Sequence, residues 1–143
     1  LFERNRNLSD SPIMNIAEIL ASITVTLLPI GFMIPWTNYK CWDVGGVYVN
    51  GKVYVCEVDS NREFYTLHEK GHYIYFNVLT EKQKKDYKTI YDKHYKKGLK
   101  AFYREYSYKS MEESFADDFA LWQGNKRVNI HTKQRIKLIS SFF

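Results

Sequence analysis

Residues 46–56 constrain this chain more than any other stretch. Gly46-Val47-Tyr48-Val49 and Lys52-Val53-Tyr54-Val55-Cys56 flank the pair Asn50-Gly51. An Asn-Gly pair between β-branched and aromatic runs predicts a two-residue β-hairpin, because Asn and Gly bear the left-handed turn backbone at least cost. Upstream, Ser11 is a good N-cap and Pro12 suits the first helical position. Ile13, Ile16, Ala17, Leu20, Ile23 and Leu27 follow at helical spacing until Pro29, and Ile30 to Trp36 reads as a short strand. Downstream, Ser60 and Glu63 have capping-box spacing, so a second helix is expected from Ser60 to about Val78. Thr80 with Gln83 starts a third, with Tyr87, Ile90, Tyr91, His94 and Tyr95 on its apolar face and Gly98 as its stop. Ser110 with Glu113 starts a fourth that ends near Gly124, and a last helix covers about Thr132 to Ser141. One helix, three strands and four helices imply an α+β fold with a small, mostly antiparallel sheet.

A chain of 143 residues is the length of one domain, 1–143, and can bury a core without staples. With 45% hydrophobic and 26% charged residues it is not a disordered chain, and 7 Gly and 3 Pro exclude collagen-like or linker sequences. Two cysteines, Cys41 and Cys56, exclude a disulfide framework and a four-cysteine zinc site, and leave one bridge or two thiols open. The apolar stretch from Ile13 to Trp36 is broken by Asn15, Glu18, Pro29, Gly31 and Pro35, so no membrane span is expected. Starting at Leu1 rather than Met, the chain reads as a fragment or processed product. The net charge is +5, and residues 81–109, with ten Lys/Arg and four Asp/Glu, carry +6 by themselves, which leaves the rest at −1. That basic stretch reads as a solvated face, since no recognised nucleic-acid motif accompanies it.

The second helix contains His68-Glu69-Lys70-Gly71-His72, an H-E-x-x-H pattern. Residues four apart on a helix lie one above the other, about 40° apart in azimuth, so both imidazoles can reach one metal ion. Glu69 points beside that ion and can take a proton from water there. Hydrolytic zinc usually has three protein ligands and leaves a fourth position for water. Tyr75 and Val78 exclude the class with a third His shortly after the motif. The remaining ligand candidates are His94, His131 and the acids of the fourth helix, Glu112, Glu113, Asp117 and Asp118.

On H-E-x-x-H and the later Glu113-Ser-Phe-Ala-Asp117 segment, the chain resembles gluzincins, zinc peptidases whose third ligand is a Glu on a later helix. Within them it is most similar to the anthrax lethal factor and Pro-Pro endopeptidase group, in which a Tyr stands seven residues before that Glu, as Tyr106 does here. The resemblance implies Zn²⁺ held by His68, His72 and Glu113, with Glu69 as general base and Tyr106 stabilising the oxyanion. Asp117 would orient a ligating His, and Glu112 is the rival to Glu113. By similarity to thermolysin-like enzymes, Val47, Tyr48 and Val49 would offer unpaired backbone groups to an extended peptide or protein substrate. The segment Glu113-x-x-Ala116-Asp117-x-Phe119-Ala120 also resembles ImmA/IrrE-type peptidases, which cleave repressors. The alternative outside catalysis is a zinc-binding structural module of a larger assembly.

Overall fold

The computed structural model describes residues 15–57 and 60–143. Ser11, Pro12 and Ile13 lie outside the described residues. The first described helix, α1, spans Ile16–Ser22 and is opened by Asn15, whose side chain accepts from the Glu18 N–H while Glu18 accepts from the Asn15 N–H. It is much shorter than its apolar spacing suggested. Thr24, Val25 and Thr26 are β-branched and stiff at χ1, and the chain leaves the helix before them. Val25–Leu28 is instead strand β1. The strand expected over Ile30 to Trp36 is absent. That segment is a turn-rich loop whose one ladder contact is an isolated bridge from Met33 to Lys40.

The hairpin forms as expected, with β2 at Gly46–Val49 and β3 at Lys52–Cys56. Asn50 and Gly51 both take positive φ, 51° and 73°. The sheet order is β1-β3-β2. β1 pairs with β3 in parallel and β2 pairs with β3 antiparallel, so the sheet is mixed rather than mostly antiparallel. The parallel ladder exists because residues 25–28, placed in a helix by their spacing, add a strand on the far side of β3. Central β3 is buried on both faces. Val53 and Val55 enter the main core, while Tyr54 and Cys56 join Ile34 and Cys41 in a second, smaller one. A Cys41–Cys56 disulfide ties the loop to β3 there.

The helical half follows. α2 spans Arg62–Asn77, with Asn61 rather than Ser60 at the N-cap, one residue later than the Ser60 cap predicts. α3 spans Glu81–Tyr95 and carries the expected Thr80/Gln83 capping box in full. Gly98, at φ 89°, turns the chain into a 3₁₀ turn at Leu99–Ala101. A short helix, α4 at Glu105–Lys109, went unseen because five residues are too few to show a period. α5 spans Met111–Gln123 and α6 spans Ile130–Ser140. The main core gathers Ile74, Tyr87, Phe115, Phe119 and Ile139 with the two β3 valines. Among the described residues, no helix is long and apolar enough to cross a membrane.

The crossing of α2 over α5 decides where the motif side chains go. A Cβ on Gly71 would lie 3.0 Å from the Ala116 Cα and 3.2 Å from the Phe119 Cβ. The two backbones therefore touch, and this contact brings α2's histidines within reach of the first turn of α5.

Candidate metal centre

His68 and His72 project from one face of α2, as their spacing requires. Both Nε2 atoms converge on one carboxylate oxygen of Glu113. The separations are 2.9 Å from His68 and 3.0 Å from His72. Ser110 accepts the Glu113 N–H as an N-cap, at 3.4 Å, but the Glu113 carboxylate does not reciprocate. It turns to the imidazoles instead, so the cap and the ligand set do not compete. Glu112 is within 3.4 Å of the Ser110 hydroxyl, not of the imidazoles. His94 and His131 pack against each other, ring to ring at 5.0 Å, away from this cluster.

Behind His68 stands Asp117, fully buried, with Oδ1 2.7 Å from Nδ1. Asp117 in turn receives both arms of Arg104, 2.8 Å from Nε and 2.9 Å from Nη2. This fork is the feature of the candidate site that sequence reasoning missed, since Arg104 lies in a run of basic residues and no spacing singles it out. Its guanidinium lies over two rings, 5.6 Å from the centre of Phe64 and 5.0 Å from that of Tyr106. Asp118, the neighbour of Asp117, does a different job. It pairs with buried Arg135 of α6 at 2.7 Å and accepts from the Tyr87 hydroxyl.

With carboxylates beside both ring nitrogens, His68 favours its protonated form. Burial opposes that charge, but hydrogen bonds to Asp117 and Glu113 outweigh it and raise the pKa to about 9. The Glu113 carboxyl feels the reverse. Burial would raise it, yet the hydrogen bonds from His68 and His72 hold it well below the usual carboxylate range. His72 Nδ1 is buried without a hydrogen-bond partner.

Glu69 is buried and lies beside the two imidazoles, with ligand-capable atoms of all three residues within 4.8 Å of one another. Its carboxylate accepts from the Tyr48 backbone N–H, which draws it to the β2 edge. Burial raises its pKa, and His68 and His72 offset part of that rise. A Cβ on Gly46 would stand 3.1 Å from the Glu69 Cγ, so glycine there permits the approach. Glu69 is thus the third member by proximity alone. Glu113 is the better third ligand, because one of its oxygens touches both Nε2 atoms while Glu69 is engaged by the strand.

Tyr106, on α4, lines the same cleft and stays half exposed. Burial, with the negative Glu113 and Glu69 nearby, pushes its phenol up to about 12, so it remains a proton donor. The cleft, of about 370 Å³, is closed on its other side by Tyr39, Val44, Val47 and Tyr48. A larger hollow of about 390 Å³ lies by the start of α2, between Phe64, Leu67, Tyr103 and Leu121, and contains neither histidine.

The β2 edge differs in detail from expectation. A two-residue turn makes Val49 and Lys52 a hydrogen-bonded pair, and bonded pairs then alternate along the ladder. The Cys56 N–H donates to the Gly45 carbonyl, which fixes the same parity. Val47 therefore faces β3 with its backbone, as does Val49. Gly46 and Tyr48 turn theirs outward, so of the three expected contacts only Tyr48 faces the edge, and its N–H there is taken by Glu69.

The donor set can be tested for fit to zinc. Tetrahedral zinc with bonds of about 2.0–2.1 Å keeps neighbouring ligand atoms about 3.3 Å apart. The two Nε2-to-Oε1 separations are within a few tenths of an ångström of that. Two imidazoles and a carboxylate are also a hydrolytic rather than a closed structural set. No family model, curated protein or solved structure matches this chain.

Proposed function

We propose that the protein is a zinc-dependent metalloendopeptidase. The observation that carries this reading is the meeting of both motif imidazoles on one oxygen of Glu113, with Glu69 held beside them and not among them. His68, His72 and Glu113 would hold the ion. Bound there, zinc would lower the pKa of a water molecule and polarise the scissile carbonyl.

The chain's own groups supply the rest. Glu69 takes the proton from the attacking water and returns it to the leaving amine. The Tyr106 hydroxyl donates to the oxygen that becomes negative as the carbonyl turns tetrahedral. Asp117, gripped by Arg104, fixes the His68 ring so that Nε2 faces the ion. An extended peptide lies along the outer edge of β2, where Gly46 offers its backbone and Tyr48 only its carbonyl, the Tyr48 N–H being taken by Glu69. A purely structural site has no need of a buried base beside its ligands, and this disfavours a non-catalytic module.

The test pairs metal analysis with a peptide-library digest. One zinc per chain and chelator-sensitive cleavage are expected. Glu69→Gln should keep the zinc and lose hydrolysis by several orders of magnitude. Full activity in Glu69→Gln would refute the mechanism.

A further inference from the structure

We propose that the disulfide-pinned loop between β1 and β2 is the specificity surface of the cleft, and that it selects substrates carrying a cluster of bulky apolar side chains beside the segment held on β2. The proposal rests on the peptidase reading above and names its substrate class.

Six large apolar side chains in one short loop face solvent: Ile30, Phe32, Met33, Trp36, Tyr39 and Trp42. Single exposed apolar residues are ordinary, but six between Ile30 and Trp42 are a concentration of the kind that marks a binding surface. The loop is built to keep them out. Ile34 and Cys41 are its fully buried anchors, and the disulfide fixes Cys41 to β3. Gly31 donates to the Cys41 carbonyl, Cys41 to that of Phe32, and Ile34 to that of Tyr39. Trp36, 72% exposed, sits at φ 68°, a left-handed conformation that bulky residues rarely adopt. Such strain persists only where the surroundings impose it, and it gathers at ligand clamps. The Trp42 ring lies over Gly31, where a Cβ would come within 3.1 Å of it, with the Lys40 ammonium 5.3 Å from its centre.

Continuity with the cleft identifies the occupant. Tyr39 and Val44 line the hollow that also holds Glu69 and Glu113. The loop runs through Val44 and Gly45 directly into β2, so a peptide paired with the β2 edge is led past Gly46 towards it. Residues 29–45 carry only Lys40 and Asp43, which cancel. A charged partner finds no complement there, and an apolar segment does.

The test uses zinc-loaded Glu69→Gln protein and three fluorescent dodecapeptides of one central sequence. One carries Leu-Phe-Leu near its N-terminus, one carries it near its C-terminus, and one has Ser-Gly-Ser at both ends. At least tenfold tighter binding of one apolar peptide over the polar one is expected. Trp36→Ser/Tyr39→Ser should bring that peptide down to the polar level, with the thermal transition unchanged because both side chains are exposed. Equal binding of all three peptides overturns the proposal, as does selectivity that survives the double variant. Dimerisation, or binding to phosphatidylcholine vesicles, that is lost on Trp36→Ser without peptide selectivity gives the loop to another occupant and also overturns it. Hydrolysis of the same peptides by the unaltered protein is read separately. Selective binding with no hydrolysis keeps the loop's role and removes the peptidase reading.

Discussion

Gly71 and Ala116 are in backbone contact where α2 crosses α5, so close that a methyl on Gly71 would stand 3.0 Å from the Ala116 Cα and push its neighbours aside by a few tenths of an ångström. The register of the candidate metal centre depends on that crossing, since α2 carries His68 and His72 and α5 carries Glu113. Gly71→Ala gains up to about 1 kcal/mol of helix propensity and loses about 1–3 kcal/mol to overpacking. The melting temperature should therefore move by only a few degrees. Zinc affinity, measured by chelator competition, should fall about tenfold or more, because ligand spacing tolerates less than packing does. An unchanged zinc affinity would show that α2 and α5 need not touch here.

Arg104 and Asp117 should act as one unit behind His68. Removing a carboxylate that orients a ligating His typically costs 10–100-fold in metal affinity. Asp117→Asn is expected in that range. Arg104→Gln frees Asp117 to rotate and should cost less, with the double variant no worse than Asp117→Asn alone. Additive losses in the double variant would mean that Arg104 acts on the site by another route.

The third ligand can be assigned by comparing neighbours. Adjacent helical residues point about 100° apart, so only one of Glu112 and Glu113 can face α2. Glu113→Ala should abolish stoichiometric zinc, and Glu112→Ala should leave it nearly intact. The opposite pattern would also strip Tyr106 and Asp117 of their roles, since both are positioned relative to Glu113.

His94 should make the fold acid-sensitive by itself. Burial and the Arg135 guanidinium lower its pKa to about 4, against an ordinary 6.5, with His131 and Lys93 adding to the repulsion and Gln134 opposing it. Its Nδ1 accepts from Arg135 at 2.9 Å, so a proton there has no acceptor to meet. The unfolded chain binds that proton first as pH falls. Stability is therefore complete above about pH 6.5 and declines towards pH 4, by roughly 1–3 kcal/mol. Urea unfolding across that range should show the slope in the unaltered protein. His94→Gln should flatten it.

Much of the fold could be read locally. The Asn50-Gly51 turn, the Thr80/Gln83 box and the Ser110 cap are each set by residues a few positions apart, and the structure keeps all three. The pairing of His68 with His72 is equally local, a consequence of one helical turn. Residues 25–28 misled because apolar spacing alone cannot separate a helix end from a buried strand, and β3 offered them a partner far along the chain.

What the sequence determined by itself was therefore short-range: the existence of most of the helices, the starts of those capped by Thr80 and Ser110, and that two imidazoles share a face. The tertiary structure decided whatever joins distant segments. It turned Glu113 away from its cap and onto both histidines, closed Arg104 on Asp117, chose Gly46 and Tyr48 over Val47 for the free edge, and joined Cys41 to Cys56. Helical periodicity and capping are written in neighbouring residues. A salt bridge or a strand partner depends on how whole elements meet, and α2 meets α5 with the bare α-carbon of Gly71 against Ala116.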